Sequence, residues 1–347
     1  MNSWVNLSIF SVFLGVGLLI ACKSTEQKKS QTSQQSVFTL ETNGFNPGCY
    51  TIASDNGKQF WKRSRAGTYS RTSKRSDAEI FYIAPVFEEG LILLDNKDHY
   101  VSIGSRGLLM ETEQPDQNAE WRFVAQSNGL HQLFHIASNK PVARQIFNRL
   151  GTTDIPSKAL DLTVAKVNSG CTDLRKDEPS LSYTAYRDPP SKSVNEPIHG
   201  YMDMHLHLFS NLAFNGNVIS GAPFDKYGIR QALDSCRFEH GRNGLLDTSG
   251  IVQREKIAHS TSGFPKFSEW PNWDGYSHQT AYYRWLRRAH KSGLKIVNML
   301  ATNNSVVCKL SNGDLPCSDM EAVDRQIAGA FKLVDFLDWQ AGGKGLG

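Results

Sequence analysis

The chain has 347 residues, with 38 lysines and arginines against 34 acids and a formal net charge of +4. That length leaves room for two domains. So slight a basic excess, with no basic run dominating the whole chain, excludes nucleic acid as a partner.

Residues Val5 to Ala21 are almost wholly apolar, and a stretch of that length at the N-terminus reads as the core of a secretory signal. An uncleaved anchor is the competing reading, since about 20 apolar residues can span a bilayer as a helix. Leu19-Ile20-Ala21-Cys22 resembles the lipobox of bacterial lipoproteins, in which the cysteine is acylated and becomes the new N-terminus. The resemblance implies a signal peptide over 1–21, lipid attachment at Cys22, membrane lipid as a partner and a place in the cell envelope. No Lys or Arg occurs in residues 1–21, which departs from the pattern, and Lys23 leans the anchor towards the outer membrane. Residues 22–36 are rich in Lys, Ser, Gln and Thr and read as a flexible tether.

Beyond Cys22 stand Cys49, Cys171, Cys236, Cys308 and Cys317. An exported chain can keep disulfides. Cys49 with Cys171 and Cys308 with Cys317 are plausible bridges that leave Cys236 odd; buried thiols throughout are the alternative.

From Gly48 to Val167 the chain repeats with a period near 40 residues. Ala78-Glu79-Ile80-Phe81-Tyr82-Ile83-Ala84 aligns with Ala119-Glu120-Trp121-Arg122-Phe123-Val124-Ala125, and more faintly with Ala159-Leu160-Asp161-Leu162-Thr163-Val164-Ala165. Each unit has short alternating runs broken by turn residues, which read as strands, and the repeat itself requires an architecture built of like units. Three β-rich units of this size resemble a β-trefoil of the ricin-B or fascin-like kind, over residues 37–175. The resemblance implies a glycan or envelope ligand, although the Gln-x-Trp triplet of ricin-type repeats is absent. Trp61 and Trp121 read either as core or as stacking platforms. The basic run Lys58, Lys62, Arg63, Arg65, Arg71, Lys74 and Arg75 reads either as a solvated turn region or as a phosphate or acidic-glycan patch.

Residues 176–197 carry four prolines and read as an extended linker. Residues 198–347 follow as a second domain. In Asp203-Met204-His205-Leu206-His207, strand alternation puts Asp203, His205 and His207 on one face and Met202, Met204, Leu206 and Leu208 on the other. Two imidazoles so spaced can hold one cation; a structural pair of histidines is the alternative. The apolar face suits helices packed behind the strand.

Asp-x-His-x-His resembles the first-strand motif of the amidohydrolase superfamily, metal-dependent hydrolases built on a (β/α)8 barrel. Phosphoesterases of the PHP class also carry His-x-His on their first strand. The resemblance implies a multidomain chain, a trefoil followed by an α/β barrel, with His205 and His207 as ligands of a divalent metal, zinc above all. Asp203 would be a supporting group, and the substrate an amide, an ester or a phosphoester. Residues 211–277 form a long Gly-rich excursion like one found after the His-x-His strand in exported bacterial proteins of this class. His240, His259, Trp270, Trp273, Asp274 and His278 are its candidate pocket residues.

Helices are expected from His278 to Lys291 and from Ser318 onward, the latter burying Met320, Val323, Ile327, Ala330, Val334 and Leu337. Leu294 to Ala301 reads as a buried strand between them. About 150 residues follow His199, against about 250 for a full barrel, so the later ligands have no positions and the chain reads as an incomplete enzyme. A non-enzymatic surface lectin or adhesin is the alternative.

Overall fold

Short apolar runs alternating with turn residues become strands over the whole first part of the chain. In the computed structural model the described residues are 45–173 and 197–341, apart from 89, 255–256, 267–275 and 312. The expected signal peptide, the tether and Cys22, and the linker up to residue 196, lie outside them.

The first repeat supplies β1 (Gly48–Ser54), β2 (Gln59–Arg63), β3 (Tyr69–Thr72) and β4 (Ile80–Pro85). The second supplies β5 (Leu91–Leu94), β6 (Tyr100–Ile103), β7 (Leu109–Thr112) and β8 (Trp121–Ala125). From the third come β9 (His131–His135), β10 (Lys140–Arg144), β11 (Leu150–Thr152) and β12 (Leu162–Val167). The turn after β1 uses Asp55, Asn56 and Gly57 at φ of 54, 55 and 81°, the left-handed region these residues tolerate. A 3-10 turn precedes the fourth strand of each repeat, at Arg75–Asp77, Gln117–Ala119 and Pro156–Lys158.

β1 pairs with β4 and β12, β4 with β5, β5 with β8, β8 with β9, and β9 with β12. Six antiparallel strands thus close a ring, which removes the unpaired edges a sheet would otherwise expose. The hairpins β2–β3, β6–β7 and β10–β11 stand off the ring. They meet through bridges at Thr68–Met110, Ser70–Arg149 and Leu108–Gly151. Inward positions fill one core that includes Ile52, Trp61, Phe81, Leu93, Trp121, Phe123 and Leu133. Cys49, on β1, is bonded to Cys171, just past β12, with Cα atoms 5.5 Å apart.

The fold class expected from the sequence, a β-trefoil followed by a (β/α)8 barrel, is corrected. The chain is a β-barrel-rich, largely sheet fold with few helices, built on a six-stranded closed barrel with additional strands. After the barrel, the described residues contain one two-stranded parallel sheet, β13 (Tyr201–Leu206) beside β14 (Leu294–Met299), and no (β/α)8 ring. A single His-x-His strand with one parallel neighbour carries the local pattern of such a ring without the strands that would close it.

Around this pair run α1 (Ile229–Ala232), α2 (Arg237–His240), α3 (Thr248–Arg254), α4 (Tyr283–Lys291), α5 (Ser305–Leu310) and α6 (Asp319–Gln340). The helix expected from His278 starts at Tyr283 instead, because Ser277, His278 and Gln279 are buried in tertiary contacts. α6 has the expected cap, with the Ser318 side chain accepting from the Glu321 N–H. Its buried side only partly matches the expected one: Ala322, Gln326, Leu333 and Phe336 are covered and Ala330 and Leu337 pack against the core, while Met320, Ile327 and Val334 are exposed. Close approach decides the face, since a Cβ on Gly329 would stand 2.7 Å from the Phe209 ring. Met202 and Met204 are exposed as well, so the packing expected behind β13 holds only at its end, where Leu206 and Leu208 join the core with helix residues.

Residues 225–231 lie against the barrel. Tyr227 packs with Tyr82, Ile92 and Tyr100 and donates its hydroxyl hydrogen to Glu120, while Arg230 pairs with Asp98 at 3.2 Å. Phe87 meets Phe336 and Trp339 edge-on. Among the described residues no helix is long and apolar enough to cross a membrane.

Candidate metal centres

His205 and His207 sit at the C-terminal end of β13 and are both exposed. Their Nε2 atoms face each other at 3.0 Å. His207 Nδ1 lies 3.0 Å from the Leu300 carbonyl. A carbonyl only accepts, so Nδ1 carries the proton and Nε2 presents its lone pair, the tautomer in which second-shell partners hold metal-binding histidines. Asp203 Oδ1 accepts from the His205 backbone N–H at 3.0 Å. That bond stiffens the strand end next to the imidazole pair. Asn298 on β14 donates to the Met204 carbonyl at 3.1 Å and fixes the two strands beside the histidines.

A second cluster lies in the excursion after β13. Cys236, His240, His259 and His278 each turn one ligand-type atom inward, and these atoms all lie within 4.8 Å of one another. His259 Nε2 is 3.0 Å from His278 Nε2, 3.4 Å from His240 Nδ1 and 3.7 Å from Cys236 Sγ. Cys236 and His240 are one helical turn apart, with the His240 N–H donating to the Cys236 carbonyl. Gly244 lies flush against the His259 ring, where a Cβ would stand 1.6 Å from Nδ1. Asp247 Oδ2 is 3.9 Å from both His240 Nδ1 and His259 Nε2, and accepts from the Ser277 hydroxyl at 2.7 Å. Burial alone would raise the Asp247 carboxyl, but the Ser277 and Gly250 hydrogen bonds and the neighbouring imidazoles hold it below the usual carboxylate range.

Of the candidate pocket residues, then, His240, His259 and His278 come together, while Trp270, Trp273 and Asp274 lie outside the described residues. Cys236 was missed as a partner. Its Cys-x-x-x-His spacing to His240 is the signal that would have found it, because positions four apart share a helix face. Cys308 and Cys317 are bonded to each other, with Cα atoms 5.6 Å apart.

The barrel's own candidates resolve differently. Trp61 and Trp121 are wholly buried, and Trp121 Nε1 donates to the Val101 carbonyl at 2.8 Å. Both rings are core and neither is a stacking platform. The basic run is partly spent inside the barrel as well. Arg71 binds Ser54, Asp55 and Asn148, and Arg63 pairs with Glu111 and with Asp95 at 3.1 Å. Asp95, His99 and Glu111 also form a metal-like trio, but the Arg63 guanidinium already supplies their cation.

No family model matches the chain, and no curated protein matches it. Among solved structures, a GlcNAcα1-4Gal-releasing endo-β-galactosidase from Clostridium perfringens aligns at 14% identity and a TM-score of 0.31, over 35% of this chain and 32% of that one. A mosquitocidal holotoxin aligns at 13% identity and a TM-score of 0.33, over 36% of this chain and 18% of that one. The chain thus spans about a third of the first and under a fifth of the second. Likeness at that level carries no argument about chemistry. The findings give no support to the expected signal peptide or lipid anchor, whose Cys22 lies outside the described residues.

Proposed function

We propose that this chain carries part of a metal-dependent hydrolase centre, with His205 and His207 as two ligands of a divalent cation. The observation that supports this best is the 3.0 Å approach of the two Nε2 atoms at the C-terminal end of a strand with a parallel neighbour. Two nitrogens each about 2.0–2.1 Å from one zinc ion stand about 3.3 Å apart at tetrahedral angles, and the observed 3.0 Å is near enough for the donor set to fit the group. His207 is held in the ligand tautomer by Leu300, and Asp203 holds the backbone that carries His205. Both side chains open to solvent, which leaves room for further ligands, water and substrate. A bound cation there supplies Lewis acidity and a water acidic enough to ionise near neutral pH. The residues of this chain position it.

The test is metal titration of the full chain by calorimetry, followed by turnover of a panel of esters, amides and phosphate esters at saturating zinc or manganese. The expected result is one binding equivalent more in the wild type than in the His205→Ala/His207→Ala double variant, with any metal-stimulated hydrolysis lost in the variant. Equal stoichiometry in the two proteins would sink the reading.

A further inference from the structure

The excursion between β13 and α4 is long and poor in regular structure, yet it buries polar side chains deeply. Cys236 and His240 are 0% and 2% exposed, and Asp247 is 3% exposed. Buried polar groups are placed where they have something to bind, and here several converge on one point. A ring nitrogen has either one N–H or one lone pair in its plane. His259 Nε2 nevertheless faces His278 Nε2, His240 Nδ1 and Cys236 Sγ together, at 3.0, 3.4 and 3.7 Å. A proton on Nε2 can serve one of those neighbours. A cation between them serves all four.

The three distances from His259 Nε2 are near the edges of a zinc tetrahedron, and all four atoms lie within 4.8 Å of one another. With Zn–N of about 2.05 Å and Zn–S of about 2.3 Å, tetrahedral angles put nitrogens about 3.3 Å apart and nitrogen and sulfur about 3.6 Å apart. We infer that Cys236, His240, His259 and His278 are the complete ligand set of a zinc ion, a structural centre separate from the His205–His207 pair. Three imidazoles and one thiolate suit zinc, whereas magnesium and calcium take oxygen ligands. Four protein ligands close the coordination sphere, the mark of a structural site rather than a catalytic one.

The outer shell agrees. His240 Nε2 lies 3.3 Å from the Val218 carbonyl, so it is the donor and the Nδ1 lone pair points inward, the arrangement that orients histidine ligands. The Asp247 carboxylate stands at 3.9 Å, too far for a hydrogen bond but close enough to offset the single positive charge that one thiolate leaves on zinc. Ser277 and the Gly250 N–H hold it there.

The ion ties together three stretches of chain that share little secondary structure. It also bears on the first strand: Gln279, next to His278, donates to the Leu208 carbonyl at 2.8 Å, one residue beyond His207. The zinc centre therefore holds the excursion against the end of β13.

The experiment uses the full chain, purified in the presence of zinc and then desalted. The expected result is one zinc retained per chain by elemental analysis, in the wild type and equally in His205→Ala/His207→Ala. Cobalt exchanged into the protein should give thiolate-to-metal absorption that vanishes in Cys236→Ser. Because Cys236→Ser also alters a buried site, a second measurement uses the wild type alone. Alkylation of Cys236, read by peptide mapping, should be at least about tenfold slower with zinc than after chelation. Loss of the retained zinc in the His205→Ala/His207→Ala variant would overturn the assignment, as would a wild type that keeps no zinc and gives no thiolate band, or Cys236 alkylation indifferent to zinc. Failure of the hydrolase reading, by contrast, would leave all of these expected results in place.

Discussion

Single side chains decide much of the barrel's electrostatics, and Glu111 is the clearest case. Its burial alone would raise its pKa, but Arg63 and His99 hold the carboxyl below the ordinary value. A carboxyl with a lower pKa folded than unfolded adds stability that is complete above its unfolded pKa and fades as pH falls through the folded one. Glu111→Gln should therefore unfold more easily than the wild type at neutral pH, and the two should converge in acid. Thermal melts across that range check it; parallel curves would refute the ion pair's role. Much of this scale was legible in advance. His240, His259 and His278 were singled out by residue type, as were His205 and His207 by spacing. Cys236 was not, because counting cysteines for disulfides treats an odd one as a remainder, whereas its turn-length spacing to His240 is a ligand pattern. Nor does any sequence pattern announce that Gly244, at φ +71°, must lack a side chain for His259 to reach its place.

At the scale of elements, strand and turn positions in the first part of the chain could be read from repeats and turn residues. The pairing of β1 with β12, across most of the barrel, could not, because ring closure depends on contacts remote in sequence. Trp121 is where local and remote meet. It starts β8, pairs with Leu91 of β5, and reaches Val101 through its indole N–H. Truncation there opens a cavity and strands a carbonyl, so Trp121→Ala should cost about 3–5 kcal/mol, read as a lowered denaturant midpoint; a cost under about 1 kcal/mol would place the ring outside the core. The helices were less legible. The period of α6 admits more than one apolar stripe, and the covered one is set by Gly329 passing close to Phe209. The (β/α)8 expectation fails because a five-residue Asp-x-His-x-His motif fixes one strand end and not a whole ring of strands.

Across the whole molecule, the barrel and the segment after it are joined by specific contacts at Tyr227, Arg230 and Phe87. The covalent geometry adds something of another kind. Cys49 and Cys171 are 122 residues apart in sequence but adjacent in space, at the two places where the chain enters and leaves the barrel. Tension applied to the ends of the protein therefore passes across one sulfur–sulfur bond and bypasses the strands. At about 3.3–3.6 Å per residue, roughly 400 Å of contour is withheld from stretching. In single-molecule pulling the oxidised protein should lack the barrel's extension step, and reductant should restore it at about that length; the same step with and without reductant would contradict the bypass. Mechanically, the barrel is a side loop on the path of force, able to keep its shape while the segments on either side are drawn taut.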